Sequence, residues 1–291
     1  MKLPEKTSAK RLCIVGLGLI GGSLAAALKA RGFSGQISAV VRRDEVGRRA
    51  LELGIVDSYT LALAEGVAQA DIIMLAVPML SMRTQLDAMR DVLPEHAVVT
   101  DAGSVKRSFI DDARDVFGTL ERVVPGHPIA GSENSGIEAS DAHLFEGKRV
   151  ILTPLEETHE DAIEAVRTLW QVTGAEVETL EPEYHDRVLA ATSHLPHVLA
   201  FSLVDTLATH QEVEEIFRYA AGGFKDFTRI ASSDAVMWRD VSLTNRQALL
   251  ESMDSFSAHL ETLRKAIEQG DGDAIEAIFK RARAARDAYT S

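Results

Sequence analysis

The chain has little cysteine and a shortage of positive charge. It holds one cysteine among 291 residues, so no disulfide can form within the chain, and a cytoplasmic location is expected. Its 31 lysines and arginines are outnumbered by 44 acidic residues, which gives a net charge of −13. This excess of negative charge argues against nucleic acids and anionic membranes as partners. An anionic substrate would need a local cluster of positive side chains.

Long apolar runs are also lacking, and no segment is predicted to span a membrane. The apolar stretch Leu12–Leu28 follows several basic residues, as in a secretion signal. It holds four glycines, which weaken a helix, and it is shorter than the roughly 20 residues that cross a bilayer. We therefore expect a globular protein long enough for two domains.

The first part of the chain alternates predicted strands and helices, which indicates an α/β fold with a doubly wound, Rossmann-type parallel sheet. After the first strand, further strands are predicted at Gln36–Val41, Asp71–Val77, His96–Thr100, Arg122–Val124, Arg149–Thr153 and Glu176–Leu180. Helices are predicted at Asp44–Leu53, 159–172, Glu181–Leu207 with a kink at Pro196, Asn245–Glu268 and Ala274–Ala288. We expect a dinucleotide-binding domain at 1–180 and an all-helical domain at 181–291.

A Gly-x-Gly-x-x-Gly turn joins the first strand to a helix, as dinucleotides require. Gly16 allows the tight turn, Gly18 lets the backbone approach the pyrophosphate, and Gly21 lets the helix pack against the strand. The helix N-terminus directs free N–H groups at the phosphates. The predicted cofactor-binding residues are Gly16, Gly18, Leu19, Ile20, Gly21, Arg42, Arg43, Val77 and Pro78.

The end of the second strand indicates which nucleotide is bound. NAD-binding proteins place an acidic residue there to bind the ribose hydroxyls. This chain has Arg42 and Arg43 instead, which suit a 2′-phosphate. We therefore favour NADP over NAD. The alternative is that both arginines are solvated surface charges and that Asp44 binds the ribose.

Functional side chains follow several strands of the predicted sheet. Ligands of such sheets bind beyond the carboxyl ends of the strands. Val77-Pro78, the segment Asp101–Lys106 and the segment Gly126–Glu133 all follow strands. Pro128 biases His127 to an extended conformation, and histidine is the side chain best suited to proton exchange near neutral pH.

The helical part adds two further motifs. In Ser193–His197 the histidines 194 and 197 are three residues apart and share a helix face, which is also a spacing found in metal sites. No third ligand is nearby, so no metal is expected. The other motif, Phe224–Ala231, contains Arg229, and Trp238 follows it.

Together these motifs resemble the prephenate dehydrogenase family, including the cyclohexadienyl dehydrogenases that accept prephenate or arogenate. The resemblance covers about Arg11 to Asn245 and rests on Gly126-His-Pro-Ile-Ala-Gly-Ser-Glu, Ser193-His-Leu-Pro-His and Phe224-Lys-Asp-Phe-Thr-Arg-Ile-Ala. It implies oxidative decarboxylation of prephenate or arogenate in tyrosine biosynthesis, with hydride transfer to NADP or NAD. It also implies a homodimer formed through the helical domain.

The resemblance assigns two residues to catalysis. His127 would be the general base for the ring hydroxyl, unless it is a structural histidine at a strand end. Ser104 would bond the same hydroxyl and orient the nicotinamide, and it could also cap a helix before Val105. The rate should then rise through the pKa of a neutral histidine, between about pH 5 and 8.

The resemblance assigns four more residues to substrate binding. Arg229 would bind a carboxylate, unless it is a surface arginine, and Glu133 would pair with it and gate entry. His197 would contact the substrate, with His194 in a structural role. Trp238 would close the site, either from its own subunit or from a partner, or it is ordinary helix packing.

Two other functions remain open from the residues alone. A β-hydroxyacid dehydrogenase has a similar domain order but uses a lysine on the long helix, and none lies between Glu181 and Leu207. An NADP-sensing regulator would bind the nucleotide without turnover. No residue decides between prephenate and arogenate.

Overall fold

The structure, a computed structural model, describes residues 11–132 and 134–289. Its strands are β1 (Arg11–Val15), β2 (Gln36–Val40), β3 (Ser58–Thr60), β4 (Ile72–Leu75), β5 (Val98–Asp101), β6 (Val123–Val124), β7 (Gly126–Pro128), β8 (Arg149–Leu152) and β9 (Glu176–Thr179). The helices before residue 180 are α1 (Leu19–Ala30), α2 (Asp44–Glu52), α3 (Leu63–Val67), α4 (Met82–Met89), α5 (Arg107–Phe117) and α6 (Glu160–Val172). The later helices are α7 (Pro182–Leu189), α8 (Leu195–Ala208), α9 (Val213–Arg218), α10 (Gly222–Thr228), α11 (Ala235–Thr244), α12 (Arg246–Glu268) and α13 (Gly272–Tyr289).

The main sheet has six parallel strands in the order β3-β2-β1-β4-β5-β6, which confirms the doubly wound fold. Apolar side chains pack on both of its faces. In β1, Leu12 and Ile14 belong to one buried cluster, whereas Cys13 and Val15 belong to the other. Because the strands are parallel, their carboxyl ends meet at one edge of the sheet.

A second, three-stranded sheet has the order β7-β8-β9, with β7 antiparallel to β8 and β8 parallel to β9. The strands predicted at Arg149–Thr153 and Glu176–Leu180 therefore exist, but they form this separate sheet instead of extending the main one. Neither β3 nor β7 was predicted. Gly126 and Pro128 are the first and last residues of β7, and both residue types are rare in strands, so the sequence did not predict this strand.

The long apolar helix predicted at Glu181–Leu207 is interrupted one turn before Pro196. A π-helical turn at Ala190–His194 separates α7 from α8, whose first turn contains Pro196. Proline lacks the N–H that a regular helix would donate, so the hydrogen-bond pattern must change near it. By length and composition alone, the run Pro182–Ala208 could cross a membrane, contrary to the sequence prediction. One such helix is weak support for a span, and side chains of α7 bond to other elements of the fold, as described below.

Contacts between backbone segments divide the chain into a larger unit that ends at Arg246 and a smaller one that begins at Gln247. The larger unit holds both sheets and α1–α11. The smaller unit contains most of α12 and all of α13, joined by a turn at Gly270 with φ of 68°. The domain boundary after residue 180 stays a prediction.

Candidate active site

The turn after β1 has the geometry that a dinucleotide needs. Gly16 has φ of 96°, and a Cβ there would lie 2.5 Å from the carbonyl oxygen of Ala76, at the end of β4. At Gly21 a Cβ would lie 2.1 Å from the carbonyl oxygen of Gly16. Both positions therefore require glycine, as the sequence predicted.

The space beside Gly18 could accommodate a pyrophosphate. A Cβ on Gly18 would meet no protein atom within 4 Å, so this glycine is not required by packing within the protein. Gly18 is the N-cap of α1, and no side chain caps the helix, whose first residues are Leu19 and Ile20. Its leading N–H groups are thus available to an anion. Val77, which precedes Pro78, lies against the same turn, because its Cγ1 would be 3.0 Å from a Cβ on Gly16.

The two arginines that follow β2 are exposed to solvent, whereas the neighbouring Asp44 is bonded to other side chains. Arg42 and Arg43 are exposed, and Arg43 pairs with Glu45 at 3.4 Å. Asp44 is engaged within the protein, because it accepts a hydrogen bond of 2.6 Å from the Tyr59 hydroxyl and pairs with Arg48 at 2.5 Å. The Tyr59 hydrogen bond is the main cause that lowers the pKa of Asp44.

A buried ion pair joins the end of β5 to β7. The side chains of Asp101 and Lys106 are fully buried and hydrogen-bonded to each other. Asp101 also accepts the N–H of Gly103 at 2.7 Å and that of Gly126 at 3.0 Å, while Lys106 donates to the carbonyl oxygen of Gly126 at 2.5 Å. Burial raises the pKa of Asp101 and lowers that of Lys106, although each charge opposes the other's shift. The pair fixes the residue before His127.

His127 lies within β7 rather than just after a strand, and it is 9% exposed. Its Nδ1 is 2.9 Å from Nε2 of His185, and Nδ1 of His185 is 2.8 Å from the carboxylate of Asp186. Burial is the main cause that lowers the pKa of His127 well below 6.5, and the charge of Lys106 acts in the same direction. His127 is therefore neutral at physiological pH. The rise in rate expected between about pH 5 and 8 should lie at lower pH, because burial disfavours the imidazolium.

The side chain of Asp186, a residue of α7, caps the N-terminus of α5. Its carboxylate accepts the N–H groups of Lys106 and Arg107, each at 2.9 Å. Burial opposes ionisation of Asp186, but its hydrogen bonds from His185 and from these two N–H groups outweigh burial and lower its pKa. The N-cap residue of α5 is Lys106, so Ser104 is not the helix cap that the sequence allowed. Ser104 lies in the loop that the Asp101–Lys106 pair closes.

The predicted residues of the helical part lie close together. The rings of His197 and Trp238 stack with centroids 3.6 Å apart, so Trp238 contacts His197 of its own chain. His197 donates from Nδ1 to the carbonyl oxygen of Ser193 at 2.8 Å. Burial and, to a smaller extent, the charge of Arg229 lower the pKa of His197.

His194 is almost fully buried and lies beside Trp238, with ring centroids 6.0 Å apart. Burial lowers the pKa of His194 to about 4, although the negative charge of Asp186 acts in the opposite direction. Its Nδ1 accepts a hydrogen bond of 3.0 Å from the amide of Asn245. Glu133 lies outside the described residues. Within residues 11–132 and 134–289, no cluster of three or more His, Cys, Asp or Glu side chains could hold a metal ion.

Sequence reasoning missed His185, Asp186 and Asn245. One signal was available in α7, where the buried residues Pro182, His185, Asp186 and Leu189 follow the spacing of a single helix face. Two polar residues on the face that should be apolar indicate buried partners. Their partners are far away in the sequence and gave no comparable signal.

Comparison with known proteins identifies the family. A sequence model described as the nucleotide-binding domain of prephenate dehydrogenase matches residues 24–179, and one described as its dimerization domain matches residues 181–281. The chain belongs to the prephenate dehydrogenase family. This membership favours the prephenate dehydrogenase interpretation over a β-hydroxyacid dehydrogenase.

Individual members of the prephenate dehydrogenase family match nearly the whole chain. A cyclohexadienyl dehydrogenase of Zymomonas mobilis is 39% identical, with 96% of each chain covered. A prephenate dehydrogenase of Bacillus subtilis is 36% identical over 95% of this chain and 75% of its own. The crystal structure of Aquifex aeolicus prephenate dehydrogenase with hydroxyphenyl propionate and NAD+ has a TM-score of 0.89 at 38% identity, covering 96% of this chain and 98% of that chain.

Proposed function

We propose that this chain catalyses the oxidative decarboxylation of prephenate to 4-hydroxyphenylpyruvate, a step of tyrosine biosynthesis. The observation that carries the proposal is a neutral, buried His127 at the same edge of the sheet as the glycine turn. Asp101 connects His127 to the glycine turn. It is the last residue of β5, which lies next to β4 in the sheet, and it accepts a hydrogen bond from the N–H of Gly126, the residue before His127. The family of the chain supports the same reaction.

The nicotinamide supplies the hydride acceptor when the nucleotide is bound. His127 accepts the proton of the ring hydroxyl as that carbon is oxidised, which a neutral imidazole can do. The ring carboxylate then leaves as carbon dioxide, and its bonding electrons make the ring aromatic. The proton returns from His127 to the phenolic oxygen, so the histidine ends the cycle unchanged. Ser104 holds the hydroxyl in the orientation required for proton transfer.

Arg229 is proposed to bind a carboxylate of the substrate. A charge-assisted hydrogen bond of this kind contributes about 1.5–3 kcal/mol. Its charge lowers the pKa of His197, which stacks on Trp238, so Arg229 lies near these two rings. Glu133 is proposed to pair with the arginine on the basis of the sequence resemblance alone.

We further propose that NADP is preferred over NAD. Arg42 and Arg43 are exposed where a 2′-phosphate would lie, and Asp44 is already bonded to Tyr59 and Arg48. Replacing both arginines by glutamine should reduce kcat/KM for NADP+ and leave that for NAD+ unchanged. Arg90→Gln is the matched control, because Arg90 is an exposed arginine at the end of another helix. A wild-type preference for NAD+ of about tenfold, or 1.4 kcal/mol, would refute this part.

Arogenate is proposed as a second substrate. A relative of 39% identity is named cyclohexadienyl dehydrogenase, and a Synechocystis structure with a TM-score of 0.81 is named arogenate dehydrogenase. Steady-state kinetics with both substrates against both nucleotides test the proposal. Reduced nucleotide should form with each substrate. Nucleotide binding without turnover of either substrate would indicate a sensor instead.

We also propose that the protein is a homodimer located in the cytoplasm. The match to a family dimerization domain over residues 181–281 supports the dimer. The single cysteine, Cys13, can form no disulfide within the chain, as is usual for cytoplasmic proteins, and burial raises its pKa to about 11, which makes its thiol unreactive. Light scattering should give a mass of two chains, and cell fractionation should recover the protein with cytoplasmic enzymes. A monomer, or protein recovered with membranes, would contradict this part.

A further inference from the structure

Three buried side chains form a line that ends at the proposed base. Asp186 bonds to Nδ1 of His185 at 2.8 Å, and Nε2 of His185 bonds to Nδ1 of His127 at 2.9 Å. The side chain of His185 is fully buried and that of Asp186 is 7% exposed. Both ring nitrogens of His185 therefore have partners in the protein, as does Nδ1 of His127.

The protons in this line can be assigned from the hydrogen bonds. The carboxylate of Asp186 only accepts, so Nδ1 of His185 must carry the proton that they share. In a neutral His185 the other nitrogen, Nε2, then has a lone pair and accepts from Nδ1 of His127. That leaves Nε2 of His127 with its own lone pair, which is the form a general base needs.

We propose that His185 and Asp186 are positioning residues that hold His127 in the tautomer with the proton on Nδ1 and the lone pair on Nε2. The inference rests on the proposed function of His127 as the base. It adds two residues to that function, since neither would touch the substrate. The conformation and the tautomer of His127 would then be set before the substrate binds, which reduces the reorganisation needed for proton transfer.

Asp186 is well placed to anchor the line, because three groups besides His185 bond to it. Its carboxylate accepts the N–H groups of Lys106 and Arg107, at the start of α5. Its backbone carbonyl accepts from the amide of Asn245 at 2.8 Å, which ties it to the end of α11. The salt bridge between Arg107 and Glu183 joins α5 and α7 a second time. The position of Asp186 is therefore fixed independently of His185.

Two substitutions of His185 separate positioning from simple packing. His185→Leu removes the acceptor for Nδ1 of His127, whereas His185→Gln keeps a carbonyl oxygen that can accept from it. His185→Leu should lower kcat by about 10–100-fold with KM little changed, the size of effect typical of outer partners of site histidines. His185→Gln should keep kcat within about threefold of the wild type, because the acceptor is retained. Equal losses of kcat in both variants, or no loss in either, would overturn the proposal.

A double variant and a control show whether the effect passes through His127. If His185 acts only on His127, adding His185→Leu to His127→Asn should cause no further loss of kcat. A full additional loss would contradict the proposal. Thr173→Val removes another buried hydrogen bond, from Thr173 to the carbonyl oxygen of Trp170, and should lower thermal stability without changing kcat. If His127→Asn itself leaves turnover normal, the proposed function fails as well as the positioning role.

The tautomer can be observed directly in the wild-type protein, even if His185→Leu does not fold. Long-range proton–nitrogen NMR correlation spectra distinguish the two neutral forms of an imidazole. The protein has 9 histidines, and the signals of His127 are those lost in His127→Asn. The proposal expects a proton on Nδ1 and none on Nε2 near neutral pH. A proton on Nε2 would overturn it.

Discussion

Replacing Lys106 by methionine should destabilise the larger unit by about 3–5 kcal/mol, because it leaves the buried carboxylate of Asp101 without its counter-ion. Both side chains of the pair are 0% exposed. Asp101 would keep the N–H groups of Gly103 and Gly126, which neutralise its charge only in part. Both tryptophans, Trp170 and Trp238, belong to the unit that ends at Arg246, so intrinsic fluorescence in a urea titration reports its unfolding.

The size of this loss should depend on pH. Burial already raises the pKa of Asp101 above 3.8, and loss of the lysine would raise it further. A carboxyl whose pKa is higher in the folded state than in the unfolded chain reduces stability as pH rises above the unfolded value. The variant should therefore be closer to the wild type at about pH 5 than at pH 8.

Two further variants serve as comparisons. Asp101→Asn with Lys106→Met removes the unpaired charge and should recover part of the stability. Arg90→Met breaks an exposed ion pair with Asp87 and should change stability by less than about 1 kcal/mol. A loss below about 1 kcal/mol in Lys106→Met, or a loss independent of pH, would refute the reasoning about the buried pair.

Three other predictions concern the nucleotide, the substrate and pH. Gly18→Ala should weaken nucleotide binding by about tenfold or more, as measured by calorimetry, with no change in thermal stability. Gly21→Ala should instead lower thermal stability, because its Cβ would lie 2.1 Å from the carbonyl oxygen of Gly16. Arg229→Ala should mainly raise KM for prephenate, and an unchanged KM would mean that the carboxylate binds elsewhere. Since neutral His127 is the active form, kcat/KM should fall only as pH drops well below 6.5; a fall centred above that value would contradict the burial of this histidine.

Local sequence patterns were sufficient to predict the glycine turn after β1. The apolar strand, the glycine spacing and the following helix lie within one short segment, and the structure has the turn that they predict at Gly16 and Gly21. Parallel strands also place their ends at one edge, so the meeting of Val77 and Gly16 follows from the alternation of strands and helices.

The support around His127 could not be predicted in this way. His127 and His185 are 58 residues apart, and Asp186 and Lys106 are 80 residues apart. Such pairs depend on tertiary packing rather than on local periodicity. The separate sheet that carries His127 was missed for a similar reason, because β7 owes its pairing to β8 and not to the strand preference of its own residues.

The most direct test of the account compares wild-type protein with His127→Asn in steady-state assays of prephenate oxidation, with NADP+ and with NAD+. The account predicts that the wild type forms reduced nucleotide and carbon dioxide in equal amounts. His127→Asn should bind the nucleotide normally but lose about 10²–10⁴-fold in kcat with little change in KM. Near-normal turnover by His127→Asn, or no turnover by the wild type, would contradict the account.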